Sequence, residues 1–273
     1  MHALSMRRLL PLLLAAFCIM PARAQQVIRL STTTSTDNSG LLNHLLPAFE
    51  ARTGSKVHVI AVGTGKALEM AKNGDVDATL VHARPAEDKF MADGHGAGRR
   101  DVMYNDFILV GPDSDPLGLR GGKDILAALK RIAERRAKFI ARGDNSGTDL
   151  MEKSWWKELG LQPGGGNGNY LSAGLGMGAV LNMAAELRAY TLTDRATYVA
   201  YRAKTGLAVM VEGDPRMFNP YGIIAVNAAR HPSVNHRGAM QLIEWITSPE
   251  GQRRIAGFRV EGQPLFFPLA GAK

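Results

Sequence analysis

Three short segments concentrate hydroxyl, glycine and cationic groups where an anion could be held: Ser31-Thr32-Thr33-Thr34-Ser35, Gly63-Thr64-Gly65-Lys66 and the turn from Arg142 to Thr148. Each follows an apolar run of strand character and precedes a run of helical spacing. In open α/β sheets that edge is where ligands bind. The first turn of a helix offers backbone N–H groups without intrahelical partners and the positive end of the macrodipole, so negative charge is favoured there. Hydroxyls add neutral donors, glycines let the backbone approach, and Arg142 brings one guanidinium. Taken singly, each segment also reads as ordinary Ser/Thr capping or a glycine turn, and Arg142 as a surface or interlobe ion-pair residue. The coincidence of three such turns favours binding. A fully ionised tetrahedral oxyanion accepts hydrogen bonds at every oxygen and donates none, which suits neutral donors plus one Arg. Hydrogenphosphate would also need a carboxylate for its proton. Asp37 and Asp144 stand near these turns and read as caps or turn residues.

Other chemistries find less support. A phosphate loop would need Gly where Ile60 stands and Ser or Thr where Ala67 stands. Arg142-Gly143-Asp144 has the form of an adhesion tripeptide, a triplet that arises often by chance. The seven His are dispersed without a His-Glu-x-x-His pair, and His82 reads as a satisfied structural residue. There is no Gly-x-Ser-x-Gly elbow. With no paired nucleophile and base evident, the chain is expected not to be an enzyme and to need no cofactor or resident metal. An exported hydrolase using the same cleft is the remaining reading from another class.

The N-terminus sets the expected compartment. Arg7 and Arg8 precede an apolar run from Leu9 to Met20, and Ala22-Arg23-Ala24 has the small-x-small form of a cleavage site, so residues 1–24 read as a secretory signal peptide cut after Ala24. Cys18, the single cysteine, follows Phe17, whereas a lipidated cysteine wants a small residue before it. It should leave with the signal, and the mature chain then has neither a disulfide nor a thiol site. Removing the signal leaves 30 basic against 25 acidic residues, net +5. These charges are scattered, with no Lys/Arg stripe interleaved with aromatics, so nucleic acid is not an expected partner. About 250 mature residues suit two modest domains.

The elements that must position the three turns alternate. Strands are predicted at Val27 to Ser31, Val57 to Ala61, Val76 to Val81, Phe107 to Val110, Phe139 to Ala141, Tyr190 to Leu192, Ala208 to Val211 and Tyr221 to Val226. Helices are predicted between them, for example Asp124 to Lys138 with Ile125, Leu126, Leu129 and Ile132 on one face, and a Gly-rich loop spans Gly164 to Gly168. Such alternation implies α/β layers with mainly parallel sheets.

Several longer segments carry a family resemblance: Ser31 to Leu42, VGTGKALEMAKNGDVDATLVHA, VMYNDFILVGP, FIARGDNSGTDLMEKSWW, AYTLTDRATY and NPYGIIAVN. Together they resemble the tungstate-binding proteins of ABC transporters, the TupA family, over nearly all of the mature chain. The resemblance implies a type II periplasmic binding protein fold: two α/β lobes, each a mainly parallel sheet flanked by helices, closing over an oxoanion by a hinge. Residues 25–105 plus 221–273 would form lobe I and 106–220 lobe II, with two hinge crossings at Tyr104 to Phe107 and Asn219 to Gly222. The family's Thr-Thr-Thr-Ser maps onto Thr32, Thr33, Thr34 and Ser35, its arginine onto Arg142, and its following hydroxyls onto Ser146 and Thr148. Thr64 and Gly65 match the second turn by position, and Gly178 is a further candidate backbone donor. Asn145 and Ala141 stand where many relatives are expected to carry Asp and Ser. The function implied is periplasmic capture of tungstate, with molybdate, sulfate or phosphate as alternatives, by a monomer that serves an ABC permease.

Overall fold

The computed structural model describes residues 26–162 and 169–271; the signal peptide and the Gly-rich loop read at 164–168 lie outside the described residues. The chain opens on β1 (Val27–Thr33), which buries Ile28 and Leu30. A five-residue helix α1 (Thr34–Asn38) follows at once, then α2 (Leu41–Thr53), which buries Leu41, Leu42, Leu45, Leu46 and Phe49 on one face and stops at Gly54 in the left-handed region. Next come β2 (Lys56–Val62), α3 (Thr64–Asn73), β3 (Ala78–Val81), α4 (Arg84–Ala92) and the 16-residue β4 (Gly96–Gly111). The middle of the chain forms α5 (Ile125–Glu134), β5 (Phe139–Ala141), α6 (Gly147–Glu158), β6 (Tyr170–Ser172), α7 (Met177–Glu186), β7 (Thr191–Asp194), α8 (Arg195–Thr205) and β8 (Ala208–Val211). A 3-10 turn at Pro215–Met217 leads into β9 (Phe218–Val226), followed by α9 (His236–Ile246), α10 (Pro249–Gly257) and the short strands β10 (Arg259–Val260), β11 (Gln263–Pro264) and β12 (Phe267–Pro268).

Two lobes share the strand β4. From Gly96 to Asp106 it pairs antiparallel with β9, and from Phe107 onward it pairs antiparallel with β7 and β8. The change of partner carries the chain out of the first lobe, and β9 brings it back beside the same point, with Asp106 opposite Phe218. The expected parallel sheets are therefore corrected to mixed ones. Among the described residues the named strands pair in parallel only as β1 with β2 and β3 and β5 with β6, beside isolated parallel bridges at Gly122–Val211 and Phe139–Tyr190; β3–β9, β4–β9 and β12–β4 are antiparallel. The physical reason is the connection itself. A strand that leaves a lobe and a neighbour that returns to it must run in opposite directions.

Each lobe packs apolar side chains on both faces of its sheet. In the first, α2, α9 and α10 cover one face around Phe49, Leu242 and Ile243, and α3 and α4 cover the other around Leu68 and Phe90. In the second, α5 and α6 pack Ile125, Leu129, Trp155 and Trp156 against Phe107 and Phe139, and α7 packs Val180 and Leu181 against Ile108 and Val110. Burying each such side chain contributes about 1.5 to 3 kcal/mol, enough for each lobe to hold its turns rigidly. Helix α8 is shared, since its Ala196 and Val199 join the core of the first lobe.

Candidate functional site

The first turn is built by β1 running straight into α1. Thr33 is the N-cap: its Oγ1 accepts the Thr36 N–H at 3.3 Å and lies 3.0 Å from Ser35 Oγ and 2.7 Å from Thr36 Oγ1. Ser35 Oγ is in turn 3.4 Å from His82 Nε2. Thr32 faces the sheet, its hydroxyl donating to the Leu80 carbonyl at 2.8 Å. Thr34 differs from its neighbours, because its Oγ1 is buried and meets no partner within the protein.

The turn after β5 is held open by one carboxylate. Asp149, fully buried in the first turn of α6, accepts the N–H groups of Gly143 and Asn145, both at 3.0 Å, and takes Lys153 Nζ at 2.6 Å. Those two residues have φ of +66° and +55°, which glycine and asparagine tolerate best. At Gly143 a side chain would be strained by the positive φ and would also crowd Ser172 Cβ at 3.1 Å and the Gly174 nitrogen at 3.3 Å. Ser146 caps α6 by accepting the Asp149 N–H at 3.3 Å. Arg142 is among the largest side chains buried anywhere in the described residues, only 2% exposed. Its Nη2 donates to Asp144 Oδ2 at 2.5 Å, while Nε and Nη1 are buried without a partner. Thr148 Oγ1 is likewise buried and unpartnered.

The two lobes touch across this region. Gly147 N–H donates to Thr64 Oγ1 at 3.1 Å, joining α6 to α3, and a Cβ on Gly63 or Gly65 would rest against Asp144 or Asn145. The cleft is closed. Gly147 also lies on His82, so a Cβ there would stand 2.5 Å from the His82 carbonyl oxygen. His82 stacks on Tyr221 with ring centroids 4.6 Å apart, and its Nδ1 is 3.0 Å from Asn219 Oδ1. Burial pushes the imidazole down to about 4, against the Asn219 hydrogen bond and helped by the positive field of Arg142. Burial raises the neighbouring Asp194 carboxyl, although hydrogen bonds from Thr197 and the field of Arg142 oppose it.

The structure thus brings together Thr33, Thr34, Ser35, Thr64, Gly65, Arg142, Ser146 and Thr148. Gly178 has another task in the geometry. It lies in the first turn of α7, and its missing side chain makes room for Tyr201, whose ring would be 2.3 Å from a Cβ there. Gly176, the N-cap of α7, lies close to Thr34: a Cβ there would stand 3.7 Å from Thr34 Oγ1. Sequence reasoning missed Gly176, Gly147 and Asp149, and the placement of His82 against Asn219. Gly147 and Asp149 lay inside the quoted Arg-Gly-Asp-Asn-Ser-Gly-Thr-Asp stretch, His82 inside VGTGKALEMAKNGDVDATLVHA and Asn219 at an expected hinge crossing, but no local signal put the last two beside Ser35. Ser35 and His82, 47 positions apart, also meet here, a contact the sequence does not show. Among the described residues no group of three His, Cys, Asp or Glu could hold a metal ion.

Four buried donor atoms without protein partners, Thr34 Oγ1, Thr148 Oγ1 and Arg142 Nε and Nη1, therefore belong to turns that meet at one cleft. Buried polar groups are mostly satisfied; among the described residues six further unpartnered atoms lie on other residues, and it is the meeting of these four at one cleft that an acceptor would use. The PBP superfamily domain matches residues 21–250. The tungstate-binding protein TupA of Peptoclostridium acidaminophilum is 50% identical over 252 residues, covering 91% of this chain and 87% of that protein. The chain belongs to the TupA family. Two solved TupA-like structures agree. That of the tungstate ABC transporter from Geobacter sulfurreducens has a TM-score of 0.79 at 52% identity, covering 85% of this chain and 98% of its own. That of the tungstate-binding protein TupA from Desulfovibrio alaskensis G20 has a TM-score of 0.78 at 45% identity, covering 90% and 99%. These TupA proteins are similar to this chain over most of its length, and the fold is that of the family.

Proposed function

We propose that this chain captures tungstate in the interlobe cleft and delivers it to the membrane permease of an ABC importer, acting as a monomer in the periplasm after cleavage behind Ala24. The single observation that carries the oxyanion is the convergence of unpartnered buried donors at Thr34, Thr148 and Arg142. Thr64 and Ser146 add to it. Their oxygens accept backbone N–H groups, which leaves their own hydroxyl hydrogens to donate. The two lobes would divide near the partner change in β4, as 25–105 plus 221–273 and 106–220, so that closure brings donors from both sides onto one anion.

The carboxylates Asp144, Asp149 and Asp194 are held by hydrogen bonds of their own. Asp144 accepts from Arg142 and Ser146 N–H, Asp149 from Gly143, Asn145 and Lys153, and Asp194 from Thr197 twice. Each of these oxygens already accepts a hydrogen bond within the protein, which weakens it as an acceptor for the proton of hydrogenphosphate without removing its second lone pair. Tungstate rather than near-isosteric molybdate follows the relatives' ligand. Isothermal titration with tungstate, molybdate, sulfate and phosphate tests the reading. Tight tungstate binding with sulfate and phosphate far weaker is expected, and no heat with tungstate would sink it. Arg142→Ala should weaken tungstate by about 1.5 to 3 kcal/mol.

A structural role, not turnover, suits Ser35, which is 1% exposed and lies between Thr33 and His82. Phosphate and sulfate esters should therefore be recovered intact after incubation with the protein.

A further inference from the structure

The hydrogen bonds behind the first turn take their direction from the Asn219 amide, whose nitrogen is turned to Asn105 Oδ1 and Tyr221 Oη, while Asn105 Nδ2 meets no partner. Asn219 Nδ2 donates to Asn105 Oδ1 at 2.6 Å, so the amide oxygen of Asn219 is the atom facing His82 Nδ1. An amide oxygen only accepts, and Nδ1 must carry the hydrogen. His82 is neutral, because burial disfavours the cation and Arg142 adds to the cost. Nε2 is then bare and accepts from the Ser35 hydroxyl. With the one Ser35 hydrogen committed, its contact with Thr33 is filled by the Thr33 hydrogen, and the Thr33 contact with Thr36 by the Thr36 hydrogen. Thr33 Oγ1 is saturated, since it takes the Thr36 N–H as well.

We infer that His82 is a positioning residue: its Nδ1–H tautomer directs the chain Thr36 to Thr33 to Ser35 to His82 to Asn219, turning the Thr33 and Ser35 hydroxyl hydrogens away from the ligand. Thr34 is left as the hydroxyl of this turn that donates to the anion. The opposite tautomer would set a bare Nδ1 against the Asn219 oxygen in a site only 4% exposed, and two buried acceptors without a hydrogen between them are costly. The chain ends on Asn105 and Asn219, which sit opposite each other on β4 and β9 where the lobes join. The same relay therefore ties the anion loop to the crossings, and it fixes hydroxyls that would otherwise rotate, so less ordering remains to be done on binding.

The inference rests on the oxyanion reading for its ligand, but its test separates the two. In long-range 1H–15N correlation spectra of histidine-labelled protein, the His82 signals, assigned by their loss in His82→Leu, should show a protonated Nδ1 and a bare Nε2 between pH 6 and 8. An Nε2–H tautomer or an imidazolium there overturns the inference whatever the protein binds. Titration of sodium tungstate supplies the second arm. Ser35→Ala and His82→Leu should each weaken binding about ten-fold, and the double variant no more than either alone, because both break one chain. Multiplicative losses would mean that Ser35 meets the anion independently of His82 and would overturn the relay. Wild-type protein that gives no heat with tungstate would overturn the function instead, and the spectra would still decide the tautomer.

Discussion

Thr34 and its neighbours show how far residue type is from residue role. Four hydroxyls in a row look equivalent in the sequence, yet Thr32 serves the sheet, Thr33 and Ser35 face partners in the protein, and only Thr34 Oγ1 is buried without one. Thr34→Val keeps the shape and removes the donor. A hydrogen bond to a charged ligand contributes about 1.5 to 3 kcal/mol, so calorimetry should show tungstate bound roughly 10- to 150-fold more weakly, and an unchanged affinity would take Thr34 out of the site. His82 makes a different prediction. Its folded value of about 4 lies below the ordinary 6.5, so between these values the unfolded chain binds the proton and the folded one does not. Stability from this group is complete above about pH 6.5 and is lost as pH falls toward 4, on the order of 3 kcal/mol in all. Urea unfolding at pH 7 and pH 4 should show wild type losing more than His82→Leu by about that amount. Equal losses would mean that His82 titrates normally. The sequence made Arg142, Thr34 and Thr148 legible because their types and their place before helices carried the signal. It could not separate Thr34 from Thr33 and Ser35, because their difference lies in a contact with a histidine 47 positions away.

At the scale of elements, the start of α6 is where closure is decided. Its N-cap, first-turn N–H groups and Thr148 face the cleft, and Gly147 makes the approach possible by lying against the His82 carbonyl. A Cβ at 2.5 Å from a backbone oxygen cannot be absorbed by a side-chain rotation. The φ of Gly147 is an ordinary helical one, so Gly147→Ala should not harm α6 itself and should hold the lobes apart. Small-angle scattering with saturating tungstate should then show a larger radius of gyration than wild type, together with weakened binding. A variant that closes as compactly as wild type would show that the lobes can slide past the contact. Most elements were legible because their periodicity is local, as with Leu41, Leu45 and Phe49 on α2. The first part of β4 was not, since Gly96-Ala97-Gly98-Arg99-Arg100-Asp101 alternates poorly and takes its extended form from β9. Strand direction was misread for a similar reason. Apolar alternation reports which face is buried and says nothing about which way the neighbour runs.

Across the whole molecule the anion would act as a clasp between two bodies with separate cores. Thr34 and Thr64 come from the first lobe and Arg142, Ser146 and Thr148 from the second, while the protein's own links near them include one Thr64 to Gly147 hydrogen bond and the His82 relay. A ligand that binds only the folded, closed form stabilises it by RT ln(1 + [L]/Kd), about 2.7 kcal/mol at one hundred times Kd. For a chain of this size each kcal/mol corresponds to about 2 to 4 °C, so calorimetric melting should rise by about 5 to 11 °C at that tungstate concentration. The shape of the transition carries further information. Without anion the lobes are free to melt in two steps, because their cores share little beyond α8, and with tungstate bridging them the melt should sharpen toward one. The same concentration of tungstate added to Arg142→Ala should give a smaller shift and leave the broad profile in place. A shift equally large with sulfate would assign the clasp to another oxyanion, and a sharp single transition in the absence of any anion would mean that β4, β9 and α8 already bind the lobes into one cooperative unit.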